Sequence, residues 1–219
     1  MTTLTQIAPL LDRLFREAEG ASPLQVPEVA ALSSEEQWRL LLSKTEYRRA
    51  YGLLKDIALP VSRETGTLLY LLARSSRARN IVEFGTSFGV STLHLAAALR
   101  DNGGGRLITT EFEPSKVLRA RQHLSEGGLS DLVEIREGDA LETLQRDLPG
   151  AIDLVLLDGA KSLYPEVLSL LEPHLGPGAL IVADNADHSP DFLAMVRGSS
   201  GAYLSLPFGA DVELSLRCA

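Results

Sequence analysis

The chain holds a single cysteine, Cys218, so no disulfide can form within it, and a reducing compartment suits it. Cationic side chains are in deficit: 21 Lys and Arg against 29 Asp and Glu leave a formal charge of −8. That sign disfavours a nucleic-acid groove or an anionic membrane surface as the main partner. No apolar run approaches the roughly 20 residues of a membrane span. The first residues, MTTLTQIAPLLDRLFREAEG, carry charges inside their apolar pattern, unlike a signal peptide. Internal repeats and low-complexity stretches are also missing. The expectation is a soluble cytoplasmic protein; its 219 residues suffice for one sizeable core plus an extension.

Two rhythms are present instead. Ile7, Leu10, Leu11, Leu14 and Phe15 fall on one helical face, and a loop with Pro23 and Pro27 follows. In SSEEQWRLLL, Ser33 and Glu36 have the spacing of a capping box. A further helix is expected from about Ser62 to Arg74, so residues 1–75 read as a helical extension. The EYRR run at 46 to 49 reads as a solvated helix face. From residue 76 to 219, short apolar runs alternate with amphipathic segments: NIVEF, RLITTE, LVEIRE, IDLVLLD and GALIVAD each precede a helical stretch. Such units predict an α/β, doubly wound, parallel sheet covered on both faces. AYLSLPFGADVELSLR adds two strand-like runs around Pro207, Phe208 and Gly209, an antiparallel hairpin near the sheet edge. Ligands in such sheets bind at the carboxyl ends of the strands. The residues to watch are therefore Glu83 to Gly89, Glu111, Asp139, Asp158 and Asp184.

The glycine loop VEFGTSFGVST has Gly85 and Gly89 but no G-x-G-x-x-G, which weighs against an NAD-dependent oxidoreductase. It also lacks the Lys-Ser/Thr of a phosphate-binding loop. What remains is a sharp turn open to close backbone approach, with Glu83 placed to repel a pyrophosphate. Glu111, ending the next strand, can accept hydrogen bonds from both hydroxyls of a ribose. A cationic nucleoside without phosphate, such as S-adenosylmethionine, suits this pair of features. The plainer alternative is that the glycines only turn the chain and Glu111 is solvated. At the fourth and fifth strands, IDLVLLDGAK and ALIVADNAD place Asp158, Lys161, Asp184 and Asn185 at neighbouring tips. Three oxygen donors there can converge on a hard divalent cation, Mg²⁺ by default. The plainer alternative here is turn and helix-capping duty.

The stretches VEFGTSFGVST, ITTEFEP, EGDALETL, LLDGAK and VADNAD follow the order and spacing of class I S-adenosylmethionine-dependent O-methyltransferases. Over roughly residues 55 to 219 the chain resembles the metal-dependent subgroup that holds catechol O-methyltransferase and the caffeoyl-coenzyme A-type enzymes. The resemblance implies a Rossmann-like, mostly parallel seven-stranded sheet. It implies that Glu83, Gly85, Gly89, Ser91, Glu111, Asp139, Ala140 and Asp158 serve the cofactor, Ser91 at the methionine carboxylate. It further implies Asp158, Asp184 and Asn185 as metal ligands, Lys161 as general base, a phenolic or catechol acceptor, and a homodimer helped by the N-terminal helices. Two departures stand out. Only ADHSPDFLAMVRGSSG separates Asn185 from the hairpin, where many relatives carry a longer insertion, and Gly159 offers no side chain to the pocket. A metal-independent N- or O-methyltransferase and a non-catalytic cofactor-binding protein remain open alternatives. Outside these motifs, Trp38 reads as core or subunit contact, and His94 and His123 as structural. His174 suits a helix end, His188 is given less weight as an acceptor-pocket residue, and Cys218 reads as incidental.

Overall fold

Runs of aliphatic and β-branched residues bounded by turn residues become strands. In the computed structural model, which describes residues 1–199 and 201–218, seven such runs form one sheet. They are β1 (Asn80–Phe84), β2 (Arg106–Glu111), β3 (Val133–Glu137), β4 (Ile152–Leu157), β5 (Leu175–Ala183), β6 (Tyr203–Phe208) and β7 (Val212–Arg217). Their order across the sheet is β3-β2-β1-β4-β5-β7-β6. The first five are parallel; β7 runs antiparallel to both β5 and β6, which leaves β6 at the edge.

Six helices precede the sheet: α1 (Thr3–Gln6), α2 (Ala8–Glu17), α3 (Pro27–Ala30), α4 (Ser34–Leu41), α5 (Tyr47–Leu53) and α6 (Arg63–Ser75). Five more connect the strands: α7 (Val90–Asp101), α8 (Pro114–Glu126), α9 (Ala140–Thr143), α10 (Tyr164–Leu171) and α11 (Pro190–Arg197). The capping box at Ser33 and Glu36 is formed, and the Ser62 side chain accepts from the Thr65 N–H to start α6. One helix is shorter than the pattern ALETLQRDL suggests. The Arg136 guanidinium donates to the carbonyls of Thr143 and Arg146, both at 2.7 Å, and ends α9 after one turn. None of the described helices is long and apolar enough to cross a membrane.

Alternation along the strands fills two cores. Ile81 and Leu154 face one, with Leu69 of α6 and Leu93 and Leu99 of α7. Val82, Val155 and Leu157 face the other, with Tyr164 of α10 and Phe192 of α11. Helix α7 is enclosed on all sides, Val90 through Leu99 being buried, so it shows no polar stripe. A smaller apolar cluster of Val26, Val29 and Leu54 ties residues 26–59 together, while Ile7, Leu10, Leu11 and Leu14 join the first core.

Register positions the site. Phe84 pairs with Leu157, and Leu157 with Ala183, so Gly85, Asp158 and Asp184 emerge side by side. The ladder continues one residue further: the Asp158 N–H donates to Phe84 O at 2.8 Å and the Asp184 N–H to Leu157 O at 2.9 Å. Beneath them, Tyr164 is fully buried, donates its hydroxyl to Asp184 O at 2.8 Å, and meets the Phe192 ring edge-on at 5.8 Å. Phe192→Ala should therefore lower the unfolding free energy by about 3–5 kcal/mol and loosen the Asp184 loop. Denaturant melts measure the first effect and amide hydrogen exchange the second; a loss under about 1 kcal/mol would mean that this core does not support the site.

Candidate active site

The loop after β1 is shaped by two constraints. Gly85 has φ +102°, and a Cβ there would lie 2.5 Å from the carbonyl oxygen of Asp158. Only glycine lets the two strand tips approach so closely. Below the loop Glu83 is fully buried, and its carboxylate accepts from the hydroxyls of Ser91 at 2.5 Å and Thr92 at 2.6 Å. Burial pushes the Glu83 carboxyl up to about 7, against the pull of Ser91, Thr109 and Thr92. Glu83 and Ser91 therefore tie the loop to the first turn of α7 from beneath. Gly89, left-handed at φ +86°, caps that helix against Ala120.

A cavity opens above Gly85, lined also by Glu111, Asp139, Ala140, Asp158 and Lys116. Glu111 stands ready to accept: Ser87 N–H and Glu113 N–H each donate to one of its oxygens at 3.0 Å, leaving lone pairs on both. Burial raises its pKa against those donors and Lys116. Asp139 caps α9 through Leu141 N–H at 2.9 Å. Its other oxygen takes the Tyr47 hydroxyl and the Arg48 guanidinium. Burial would raise the Asp139 pKa, but these partners hold it below the usual value. EYRR is thus largely a solvated face, Glu46, Arg48 and Arg49 being exposed, but Tyr47 lines the cavity and Arg48 reaches Asp139 beside it.

The acids at the strand tips share a second space. Asp158 Oδ1 accepts from Lys161 Nζ at 2.8 Å. Burial raises the Asp158 carboxyl against that lysine, and burial followed by the Asp158 charge raises Asp184 to about 7. Burial works to discharge Lys161, but Asp158 overcomes it and holds the lysine well above its ordinary pKa. Asn185 adopts left-handed φ 48°, and its amide donates to Asp211 Oδ2 at 3.0 Å, which leaves its carbonyl oxygen available. Two carboxylates and one amide oxygen have the donor chemistry of a hard divalent ion, although Asp158 already holds the Lys161 ammonium. Among the described residues no group of three or more His, Cys, Asp or Glu gathers that could hold a metal ion.

These groups floor an open cavity of about 560 Å³ whose walls include Trp38, Leu42, Leu54 and Pro60 from the N-terminal segment. Trp38 is not core: it is 44% exposed and faces His188 with ring centroids 5.0 Å apart. Both rings line the cavity, so His188 belongs to the site more firmly than its sequence position suggested. His94 is buried against Val90 O, and His123 bonds Phe88 O at 2.8 Å; both serve structure. The space beside Gly159 is filled: a Cβ there would meet the Phe84 ring at 2.5 Å. Sequence reasoning missed Tyr47, Arg48, Tyr51, Lys116 and Asp211. A lysine five residues after Glu111 was the one local signal among them.

Comparison with known proteins gives a consistent picture. A family profile described as a methyltransferase domain matches residues 82–186. The chain is similar to catechol O-methyltransferase of Niastella koreensis, 39% identical over 131 residues, and the match spans 58% of this chain and 58% of that relative's length. It is 31% identical over 169 residues to catechol O-methyltransferase of Sus scrofa, covering 74% of this chain and 89% of that one. The crystal structure of the O-methyltransferase TomG from Streptomyces achromogenes, in complex with SAM, shares the fold at TM-score 0.66 and 30% identity, over 86% of this chain and 100% of that one.

The buried Glu83 carboxyl yields a pH test. Its folded pKa of about 7 lies above the ordinary 4.5, so the stability linked to its protonated form is complete below pH 4.5 and lost as pH rises through 7. Between pH 5 and 8 the wild type should lose roughly 2 kcal/mol relative to Glu83→Gln. Urea melts of both proteins at the two pH values measure this; parallel pH profiles would show that Glu83 does not titrate across the range.

Proposed function

Because the chain belongs to the class I S-adenosylmethionine-dependent O-methyltransferases of the catechol type, we propose that it transfers a methyl group from S-adenosylmethionine to one hydroxyl of a small catechol-like or phenolic acceptor, with the help of a divalent ion. One observation carries this reading: the two cavities meet at Asp158, which lines both together with Tyr51, Leu59 and Gly159. A donor on one side and an acceptor on the other would touch only at that seam.

On the donor side, Glu111 accepts from ribose hydroxyls, Gly85 admits the methionine portion, and Asp139 and Ala140 face the adenine end. On the acceptor side, Asp158, Asp184 and Asn185 would hold the ion, with Mg²⁺ the first candidate. When bound, such an ion lowers the pKa of a phenolic hydroxyl from about 10 and fixes its oxygen. The sulfur–methyl bond breaks as the carbon–oxygen bond forms, and the hydroxyl proton departs. We assign that proton to Lys161 in its neutral form. With an ion on Asp158 the lysine would lose the partner that keeps it charged, release its own proton to solvent, and so have a lone pair to accept the hydroxyl's. Alignment of the two reactants is the protein's main contribution, worth up to roughly 7–11 kcal/mol in well-oriented systems. The rival on the same fold is metal-independent transfer. The closed Lys161–Asp158 pair favours it, since it already supplies Asp158 with a cation.

Mass-spectrometric detection of methylated product from a catechol panel tests the reading. Turnover should vanish with a chelator and return with Mg²⁺. Asp184→Asn should abolish metal-dependent turnover while S-adenosylhomocysteine still binds. Lys161→Met should cost about 10²–10⁴-fold. Product formation untouched by the chelator would establish the metal-independent rival, and no product with any panel member would end the catechol assignment.

We also propose a second copy of the chain as partner of the edge strand. Leu204, Leu206 and Phe208 alternate on one exposed face of β6, and Phe208 shares a shallow cavity with Leu68 and Leu71 of α6. Leu206→Glu should leave a monomer in light scattering; a dimer that persists would remove this face from the interface.

A further inference from the structure

Lys116 is a buried cation in the donor cavity without an assigned duty. It lies in the first turn of α8, five residues after Glu111, and is 4% exposed. Its ammonium is 5.8 Å from the centroid of the Phe88 ring. Among the described residues its side chain makes no hydrogen bond and no ion pair. Burial works to lower its pKa, and Glu111 is the strongest of the acids that oppose this, followed by Glu113, Asp158 and Asp56.

A lysine that served only as counterion to Glu111 would close on it. Here it does not, and Glu111 is already held by the two main-chain N–H groups of Ser87 and Glu113. The Lys116 ammonium opens on the cavity with no protein acceptor in reach, so a ligand seated there is placed to accept from it. The adenine end is occupied by Asp139 with Tyr47 and Arg48, at the other side of the same cavity. The group next to Glu111 is left. A carboxylate can only accept and an ammonium can only donate. A vicinal diol does both, since each hydroxyl gives its hydrogen in one direction and takes one from another.

We propose that Lys116 and Glu111 jointly read the vicinal ribose diol of the methyl donor, Glu111 accepting from the hydroxyl hydrogens and the Lys116 ammonium donating to a hydroxyl oxygen. The inference rests on the donor assignment made under the proposed function. It makes Lys116 a donor-binding residue that takes no part in the acceptor cavity, whose lining does not include it.

The experiment is calorimetric binding of S-adenosylhomocysteine and of its 2′,3′-dideoxy analogue to the full chain and to Lys116→Met and Lys116→Gln. Lys116→Met should weaken S-adenosylhomocysteine about tenfold, the usual scale for losing a charge-assisted hydrogen bond. The dideoxy analogue should bind wild type and Lys116→Met alike, because the partner hydroxyls are gone. Lys116→Gln, which keeps a neutral donor, should fall between. A structural role for Lys116 would weaken both ligands equally, and that result, or an undiminished affinity for S-adenosylhomocysteine, would overturn the inference. A wild-type chain that binds neither ligand would overturn the donor assignment itself.

Discussion

The main chain comes unusually close to itself where Gly85 faces the carbonyl of Asp158, and the spacing of the site follows from that approach. The pairing of β1 with β4 and of β4 with β5 is one of simple register. It puts three tips abreast, but a side chain at Gly85 would push the first tip away from the second. With glycine there, the two cavities adjoin and share Tyr51, Leu59, Asp158 and Gly159. Phe84 supports this from below by filling the space that Gly159 leaves. Two glycines thus act as a matched pair, one clearing room for backbone and the other for an aromatic ring.

Close spacing has an electrostatic cost. Burial raises the pKa of both Asp158 and Asp184, the Asp158 charge raises Asp184 further, and Asp211 adds to the crowding from the hairpin. Lys161 offsets part of this repulsion through its pair with Asp158. Crowded acids whose pKa values are displaced in this way concentrate at functional sites. The hairpin contributes more than a charge. Its Asp211 accepts from the Asn185 amide and from the Ala186 N–H, so the antiparallel end of the sheet anchors the loop after β5.

Much of this was legible along the chain. Strand patterns with punctuating turn residues located the seven strands, and the strand-end rule directed attention to the acids that line the two cavities. What could not be read were contacts between segments distant in sequence. Tyr47 and Arg48 reach Asp139 across more than ninety positions, and nothing local distinguishes them from the exposed Arg49. Trp38 meets His188 in the same way, so an aromatic residue that reads as core lies at a cavity rim. The one-turn length of α9 depends on Arg136, a strand residue whose guanidinium ends the helix. Periodicity records which face of an element is apolar; it does not record what that face will meet.

Helix α5 and Leu59 just beyond it bring the N-terminal segment to both cavities, with Tyr47 at the first and Tyr51 and Leu59 at the seam. Around α5, residues 26–59 pack on a small apolar cluster built on Val26, Val29 and Leu54, whereas Ile7, Leu10, Leu11 and Leu14 join the core under the sheet. A block that carries its own interior can change the residues it shows to an acceptor without unsettling the sheet. Acceptor preference and donor recognition can then diverge at separate rates over evolutionary time, held in step by one short stretch of chain.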